Sequence, residues 1–273
     1  MARAAHETND GVQIGPFVVC TESTEMTEFA AALGLAPGVT PLTFPIRWLA
    51  LPPVRAAMED LIGPNPVHAS QSFDFDAALS ADRDYTLQVS LRRHEKPSPR
   101  LVVRGTVSEP DGRSIVRFET VLLPTVAIAK VSAASATEAG AGSLPDIGIG
   151  PIDQTQAARY AAAAHDDSRL HADPEFTRSL GLDGPIIHGM LMMGLFQRAL
   201  SEWPVDSTVA RLFVLFARPV PTGSRLVIGG RLVAPTKAKC AERQIVRLLL
   251  RTERNDVACI GEAMLVSRRP ASP

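Results

Sequence analysis

The chain has 273 residues, and its 28 Lys+Arg against 29 Asp+Glu leave a net charge of −1. This length fits one large domain or two modest ones with proper cores, and the balanced charge excludes a global basic field for nucleic acid or an anionic membrane. The three cysteines, without Cys-x-x-Cys spacing, argue against a disulfide framework, and no stretch reaches the roughly 20 apolar residues of a membrane span, so we expect a soluble, cytoplasmic protein.

The first elements along the chain are two apolar segments and a β-rich region. Residues 28–34 are helical in pattern and end in a glycine, and residues 45–58 form a second apolar segment. Pro52 and Pro53 lie inside the second segment, where they should break or displace a helix. Strand-like sequence follows, including a hairpin whose turn is Asp111-Gly112.

Residues 126–150 change character, because Ala, Ser, Gly and Thr dominate them. Such a composition buries little apolar surface and orders poorly. We therefore predict a linker at 126–150, between an N-terminal unit at 1–125 and a C-terminal unit at 151–273.

The C-terminal unit repeats the order of the N-terminal one. Three parallels support the repeat: residues 28–34 with 159–165, 45–58 with 185–200, and 85–91 with 225–230. Coincidence could produce any one of them, but their shared order favours two copies of one α+β unit. The helix predicted at 185–200 is apolar all round, so it should be buried.

A polar loop between residues 165 and 185 carries the residues best suited to acid-base chemistry. Asp166 is a carboxylate near neutral pH, since an ordinary Asp has a pKa of roughly 3.9, and His171 can give or take a proton, since His titrates at roughly 6.5. Together they could activate one water molecule. A solvated turn is the alternative, because Asp, Ser and His are common in loops.

The sequence 165–189 resembles the signature of the MaoC-like dehydratases, the (R)-specific enoyl-CoA hydratases also called hydratase 2. Their loop reads approximately Gly-Asp-x-Asn-Pro-hydrophobic-His, followed by an acidic and aromatic stretch and a Gly-Pro-Ile-x-His-Gly helix start. The matching segments are 165–171, 173–176 and 184–189, and residues 216–223 look like the family's strand after the helix. Asp166 and His171 thereby fall on the family's catalytic pair.

Three positions depart from the family pattern: His165 replaces Gly, Ser168 replaces Asn and Arg169 replaces Pro. The family Asn helps to hold water or substrate, and the hydroxyl of Ser168 at this position is shorter, so the departure bears on the rate or the substrate.

The resemblance implies an α+β double hot-dog fold, in which each copy is a long helix wrapped by an antiparallel sheet. It implies (R)-specific hydration of a trans-2-enoyl thioester on coenzyme A or a carrier protein, or the reverse dehydration, with no further cofactor and no metal. The backbone amide of Gly189 would bind the thioester oxygen, with Pro185 at the helix start.

Three further residues are candidates for substrate positioning: Ser168, His188 and Arg218. His188 also has a structural interpretation, in which it fixes the loop by a hydrogen bond. Arg218 could meet the phosphates of the thioester.

A comparison of the copies indicates where the chemistry resides. Gly34 and Pro45 are 11 positions apart, whereas the matching His165 and Pro185 are 20 apart. The N-terminal copy therefore lacks the polar loop, and we predict that it is non-catalytic. Our hypothesis is that the space around Pro52 and Pro53 accommodates the acyl chain.

Two other functions remain open at this point. A hot-dog thioesterase would direct water at the thioester carbon, and a non-catalytic protein would only bind the acyl thioester. The oligomeric state is open as well, because two fused copies could imitate the family's dimer within one chain or pair again as a homodimer.

Overall fold

The computed structural model describes residues 6–8, 11–130, 142–203, 207–233 and 243–267. The N-terminal copy comprises β1 (His6–Thr8), β2 (Gly11–Cys20), α1 (Ser23–Ala32), a 3-10 helix (Phe44–Ala50), α2 (Pro52–Ile62), β3 (Val67–Phe75), β4 (Asp84–His94), β5 (Arg100–Ser108), β6 (Ser114–Leu123) and a 3-10 helix (Thr125–Lys130). The C-terminal copy comprises β7 (Ser143–Ile149), α3 (Gln154–Ala164), a 3-10 helix (Arg169–His171), α4 (Pro174–Ser179), α5 (Gly189–Glu202), β8 (Ser207–Phe216), β9 (Leu226–Val233), β10 (Arg243–Thr252) and β11 (Val257–Ser267).

In the described part of the chain, eleven strands form one sheet in the order β1-β2-β4-β5-β6-β3-β8-β11-β10-β9-β7. All pairs are antiparallel, and the two copies meet where β3 pairs with β8. Apart from the three-residue edge strand β1, the first copy runs β2-β4-β5-β6-β3 towards this junction and the second runs β7-β9-β10-β11-β8. The two copies therefore share one strand order, and the predicted α+β double hot-dog is confirmed.

The central helix of the second copy is α5, and it is buried on nearly every side as its apolar sequence predicts. It begins at Gly189 and not at Pro185, so the predicted helix start is wrong by four residues. The preceding residues are held by loop contacts instead, since the N–H of Ile186 donates to the carbonyl of Leu170 at 3.0 Å and that of Ile187 to Val220 at 2.8 Å.

The corresponding helix of the first copy is divided in two. A 3-10 helix ends at Ala50 and α2 begins at Pro52, so the predicted break is confirmed. The prolines start the second piece, because the first turn of a helix needs no N–H donor from them. Both prolines are exposed to solvent.

Two sequence-based assignments need correction. The predicted linker at 126–150 includes β7 at Ser143–Ile149, which pairs with β9, while its residues 131–141 lie outside the described residues. The segment 216–223 is not a strand after the helix, because β8 ends at Phe216 and residues 217–223 form the loop that follows. None of the helices described is long and apolar enough to cross a membrane.

Candidate active site

The loop that carries Asp166 starts at the end of α3. His165 adopts a left-handed conformation (φ 55°) that ends the helix, and the N–H of Asp166 donates to the carbonyl of Ala161 at 2.9 Å. The Asp166 carboxylate accepts a hydrogen bond of 3.2 Å from the N–H of Ser168. These local contacts set the direction of the Asp166 side chain.

His171 has a defined proton arrangement. Its Nδ1 lies 2.8 Å from the carbonyl oxygen of Ile186, which can only accept, so Nδ1 carries the hydrogen. In the neutral ring, Nε2 then has a free lone pair.

The fold brings three polar side chains close together, those of Asp166, His171 and His188. A carboxylate oxygen and one ring nitrogen from each histidine all lie within 4.8 Å of one another. The two residues that the sequence singled out for acid-base chemistry are thus brought together by the fold, within the distance that one bridging water molecule can span.

His188 is held by ring packing. Its ring is 1% exposed, and it stacks on His171 with centroids 3.6 Å apart and 24° between planes, while Tyr160 contacts it from the side at 5.1 Å. Neither ring nitrogen of His188 has a hydrogen-bond partner among the described residues, so the predicted loop-fixing hydrogen bond is wrong.

The stacking also bears on metal binding. An imidazole binds a metal along the plane of its ring, and the rings of His171 and His188 are nearly parallel and stacked. At this separation and tilt the two ring planes do not meet within a metal–nitrogen bond length of both rings, so these three residues suit a water or a substrate oxygen better than a metal ion.

The pKa values of Asp166 and His188 set the charges of these two groups at the pocket. Burial raises the pKa of Asp166, but the nearby His171, His188 and His68 and the Ser168 N–H outweigh this and lower it overall. Burial, with His171 adding to it, lowers the pKa of His188 to about 3. Near neutral pH, Asp166 is therefore a carboxylate and His188 is neutral.

The cluster faces a pocket of about 1270 Å³, counting the space open to solvent. Both copies line it. Its apolar wall includes Ile46, Leu49, Met58, Val67, Leu122 and Ile128 from the first copy and Ile186, Ile187, Met190, Met192 and Phe216 from the second.

The remaining predicted site residues also reach this pocket. Gly189 is the first residue of α5, so its N–H has no acceptor within the helix, and a Cβ there would lie 3.2 Å from the Phe216 ring. The Ser168 hydroxyl is buried without a partner among the described residues. Arg218 is half-buried at the rim and forms an ion pair of 2.5 Å with Asp256.

Sequence reasoning missed His68, which reaches the pocket from the first copy. The register of β3 against β6 shifts between His68 and Ser70. In a regular strand His68 would face away from Gln71 and Phe73, because side chains alternate, and the extra residue of a bulge turns it to their side. Burial lowers its pKa to about 4, although the nearby Asp166 raises it. A bulge leaves no recognisable signal in this sequence.

Comparison with known proteins finds a family similarity in the part of the chain that carries this loop. Residues 143–252 match the sequence model of the family described as "MaoC like domain". The matched residues lie in the C-terminal copy, which is therefore similar to a MaoC-like domain. The match begins at β7 and includes the loop of Asp166 and His171 as well as α5.

Two curated relatives are similar to part of the chain. The chain is 28% identical over 110 residues to the mitochondrial 3-hydroxyacyl-[acyl-carrier-protein] dehydratase of Arabidopsis thaliana, covering 39% of this chain and 65% of the relative. It is 38% identical over 47 residues to the (R)-specific enoyl-CoA hydratase of Aeromonas caviae, covering 17% of this chain and 35% of the relative. The chain thus spans less than two thirds of the length of these curated relatives.

A solved structure described as a MaoC-like dehydratase resembles the whole molecule. It has a TM-score of 0.75 and 18% sequence identity, and the match covers 93% of this chain and 97% of that chain. The likeness extends over both copies and shows that this chain has the fold of that structure.

Proposed function

We propose that this protein is a hydro-lyase that adds water to a trans-2-enoyl thioester, or removes it from a (3R)-3-hydroxyacyl thioester. The observation that carries the proposal is the meeting of the Asp166 carboxylate and the His171 ring within 4.8 Å, at a pocket with an apolar wall. The names of the two relatives support it, since one is a dehydratase of 3-hydroxyacyl thioesters and the other an (R)-specific hydratase of enoyl thioesters.

In this proposal one water lies between the two side chains. Asp166 accepts one O–H of the water as an ionised carboxylate, and Nε2 of His171 accepts the other. As the water oxygen bonds to C3, its proton passes to Nε2 and the C2=C3 electron pair moves towards the thioester oxygen. Nε2 then returns the proton to C2. Groups positioned in this way typically contribute about 10²- to 10⁴-fold in rate.

The negative charge that develops on the thioester oxygen needs a donor. The N–H of Gly189 has no acceptor within α5 and stands at the positive end of that helix. We assign it this role, which is typically worth roughly 3 to 4 kcal/mol in the transition state.

Ser168 and His188 complete the proposed site. The unpartnered hydroxyl of Ser168 can bind the water or a substrate oxygen, and His188 holds the plane of the His171 ring by stacking. Arg218 is proposed to bind the phosphates at the polar end of the thioester, and its ion pair with Asp256 occupies part of its guanidinium.

The acyl chain is proposed to lie along the apolar wall contributed by the first copy. Leu49, Ala50 and Met58 line the pocket beside the break between the 3-10 helix and α2. Pro52 and Pro53 themselves are exposed and do not line the pocket, so the proposal concerns the residues beside the prolines and not the proline side chains.

The test is a panel of trans-2-enoyl thioesters, short to long, on coenzyme A and on a carrier protein. Asp166→Asn and His171→Ala should each lower kcat at least 10²-fold with binding retained. The matched controls are Asp60→Asn on the exposed side of α2 and His94→Ala at the end of β4, neither of which lines the pocket. Both controls should have wild-type kcat.

The readout separates the competing functions. Hydration removes the absorbance of the conjugated thioester without releasing thiol, whereas a thioesterase would release thiol and a binding protein would do neither. Hydration that survives either active-site substitution would remove that residue from the mechanism.

A further inference from the structure

The residues on both sides of Asp166 are held by the other copy. Arg47 lies in the 3-10 helix Phe44–Ala50 of the first copy and is 5% exposed. Its Nη2 lies 2.6 Å from Oε1 of Glu25 and 2.9 Å from Nε2 of His165. A guanidinium nitrogen can only donate, so Nε2 of His165 accepts. His165 is therefore neutral while this contact is made.

Arg55, in α2, holds the following part of the loop. Its Nη1 lies 2.7 and 2.8 Å from the two carboxylate oxygens of Asp167, and its Nη2 donates to the carbonyl oxygen of His165 at 3.0 Å. The Asp167 side chain is 79% exposed, so this ion pair adds little to stability. The bond from Nη2 of Arg55 to the carbonyl oxygen of His165 fixes the position of the peptide that precedes Asp166.

We propose that Arg47 and Arg55 are positioning residues, which hold His165 and Asp167 so that the Asp166 carboxylate faces His171. The inference rests on the proposed function, because it assigns these arginines an effect on the proton-transfer step. It gives the first copy a role in catalysis beyond lining the pocket, although that copy lacks an acid-base pair of its own.

The local geometry explains why the loop depends on outside contacts. His165 ends α3 with a left-handed backbone, and the bond from Arg47 to its side chain anchors this turn to the first copy. Within the loop, the carboxylate of Asp166 accepts one hydrogen bond of 3.2 Å, from the N–H of Ser168. A shift of about 1 Å in a reacting group can cost about 10²-fold in rate.

The test uses the full chain and two independent variants. Arg55→Gln removes the ion pair at a half-exposed position, and His165→Gly removes the side-chain contact at a position whose backbone suits glycine. Arg55 and His165 also line the pocket, but its apolar wall is unchanged, so each variant should lower kcat about tenfold with KM changed less than twofold. Arg159→Gln, at an exposed position of α3, is the matched control and should leave kcat unchanged.

A double-mutant cycle separates positioning from a purely structural role. Arg47→Met should lower kcat in the wild-type chain, but in the His165→Gly chain it should have less than a twofold further effect, because its partner is already gone. Equal effects of Arg47→Met in both chains, with no loss from Arg55→Gln, would overturn the inference.

Hydrogen exchange of the peptide 161–170 provides a readout that does not need turnover. Exchange should accelerate in Arg55→Gln and His165→Gly and stay unchanged in Arg159→Gln. Unchanged exchange in both variants overturns the inference, as does faster exchange with an unaltered kcat. If the wild type hydrates no enoyl thioester but exchange is still faster in the two variants, Arg47 and Arg55 hold the loop and the proposed function is rejected.

Discussion

At the scale of single residues, the neutral histidines of the pocket have a consequence for stability. His188 is buried with a pKa of about 3, and His68 has a pKa of about 4. An unfolded histidine titrates at roughly 6.5. Between these values the unfolded chain binds protons that the folded chain does not, so the folded state loses stability as the pH falls.

We therefore expect the free energy of unfolding to fall between about pH 6.5 and about pH 3, by about 1.4 kcal/mol per pH unit for His188. Urea unfolding at about pH 7 and about pH 5 measures this loss. His188→Phe keeps a ring between His171 and Tyr160 and should make the loss smaller. An equal loss in wild type and variant would contradict the neutral state of His188.

Ser168 allows a second test at this scale. Its hydroxyl is buried with no partner among the described residues, so Ser168→Ala removes no protein hydrogen bond made by that hydroxyl. We expect unchanged or slightly higher stability together with a kcat reduced about tenfold, because the hydroxyl is proposed to bind water or a substrate oxygen. Thermal unfolding and initial rates check the two halves of this prediction, and unchanged kcat would exclude Ser168 from the site.

At the scale of elements, the close approach of α5 and α1 depends on a glycine. A Cβ at Gly194 would lie 2.3 Å from Cδ2 of Leu33, a side chain that is fully buried just after α1. The two helical segments thus belong to different copies, and their contact joins the copies through the core as well as through the sheet.

Gly194→Ala should destabilise the protein by on the order of 1 kcal/mol, because the cost of overpacking exceeds the gain in helix propensity. Gly148→Ala is the control, since nothing lies within 4 Å of a Cβ built there. Leu33→Val in the Gly194→Ala chain should recover part of the loss. Denaturant unfolding measures all four proteins, and a neutral Gly194→Ala would show that Leu33 can move at no cost.

At the scale of the whole molecule, the two copies share one sheet and one core. β3 pairs with β8 over five residue pairs from Ser70↔Leu215 to Asp74↔Arg211, and buried residues of both copies belong to a single hydrophobic cluster. The interface within the chain therefore resembles the interior of one domain. Whether the chain pairs again as a homodimer stays a prediction.

Cooperative unfolding tests this view. The chain has two tryptophans, Trp48 in the first copy and Trp203 in the second, and both are buried. In Trp48→Phe and in Trp203→Phe, the remaining tryptophan should report the same urea midpoint as circular dichroism, because the copies unfold together. A fluorescence midpoint that differs from the circular dichroism midpoint in either variant would mean that the copies unfold separately.

Much of the fold could be predicted from sequence, since its signals are local. The hairpin around Asp111-Gly112, the buried helix and the repeated order of elements follow from turn residues and from apolar periodicity. The loop of Asp166 and His171 was also predicted, because both residues lie within six positions of one another. Boundaries were less certain: β7 lies inside the predicted linker, and α5 begins at Gly189.

The sequence by itself determined the two copies, the buried helix and the polar loop with its acid-base pair, because each depends on residues close together in the chain. The tertiary structure alone decided that His68 reaches the pocket, that His188 stacks on His171, and that Arg47 and Arg55 hold the loop. These contacts join residues that lie far apart in the chain. They depend on strand register, on a bulge and on how one copy closes against the other, and no local pattern of residues encodes any of these.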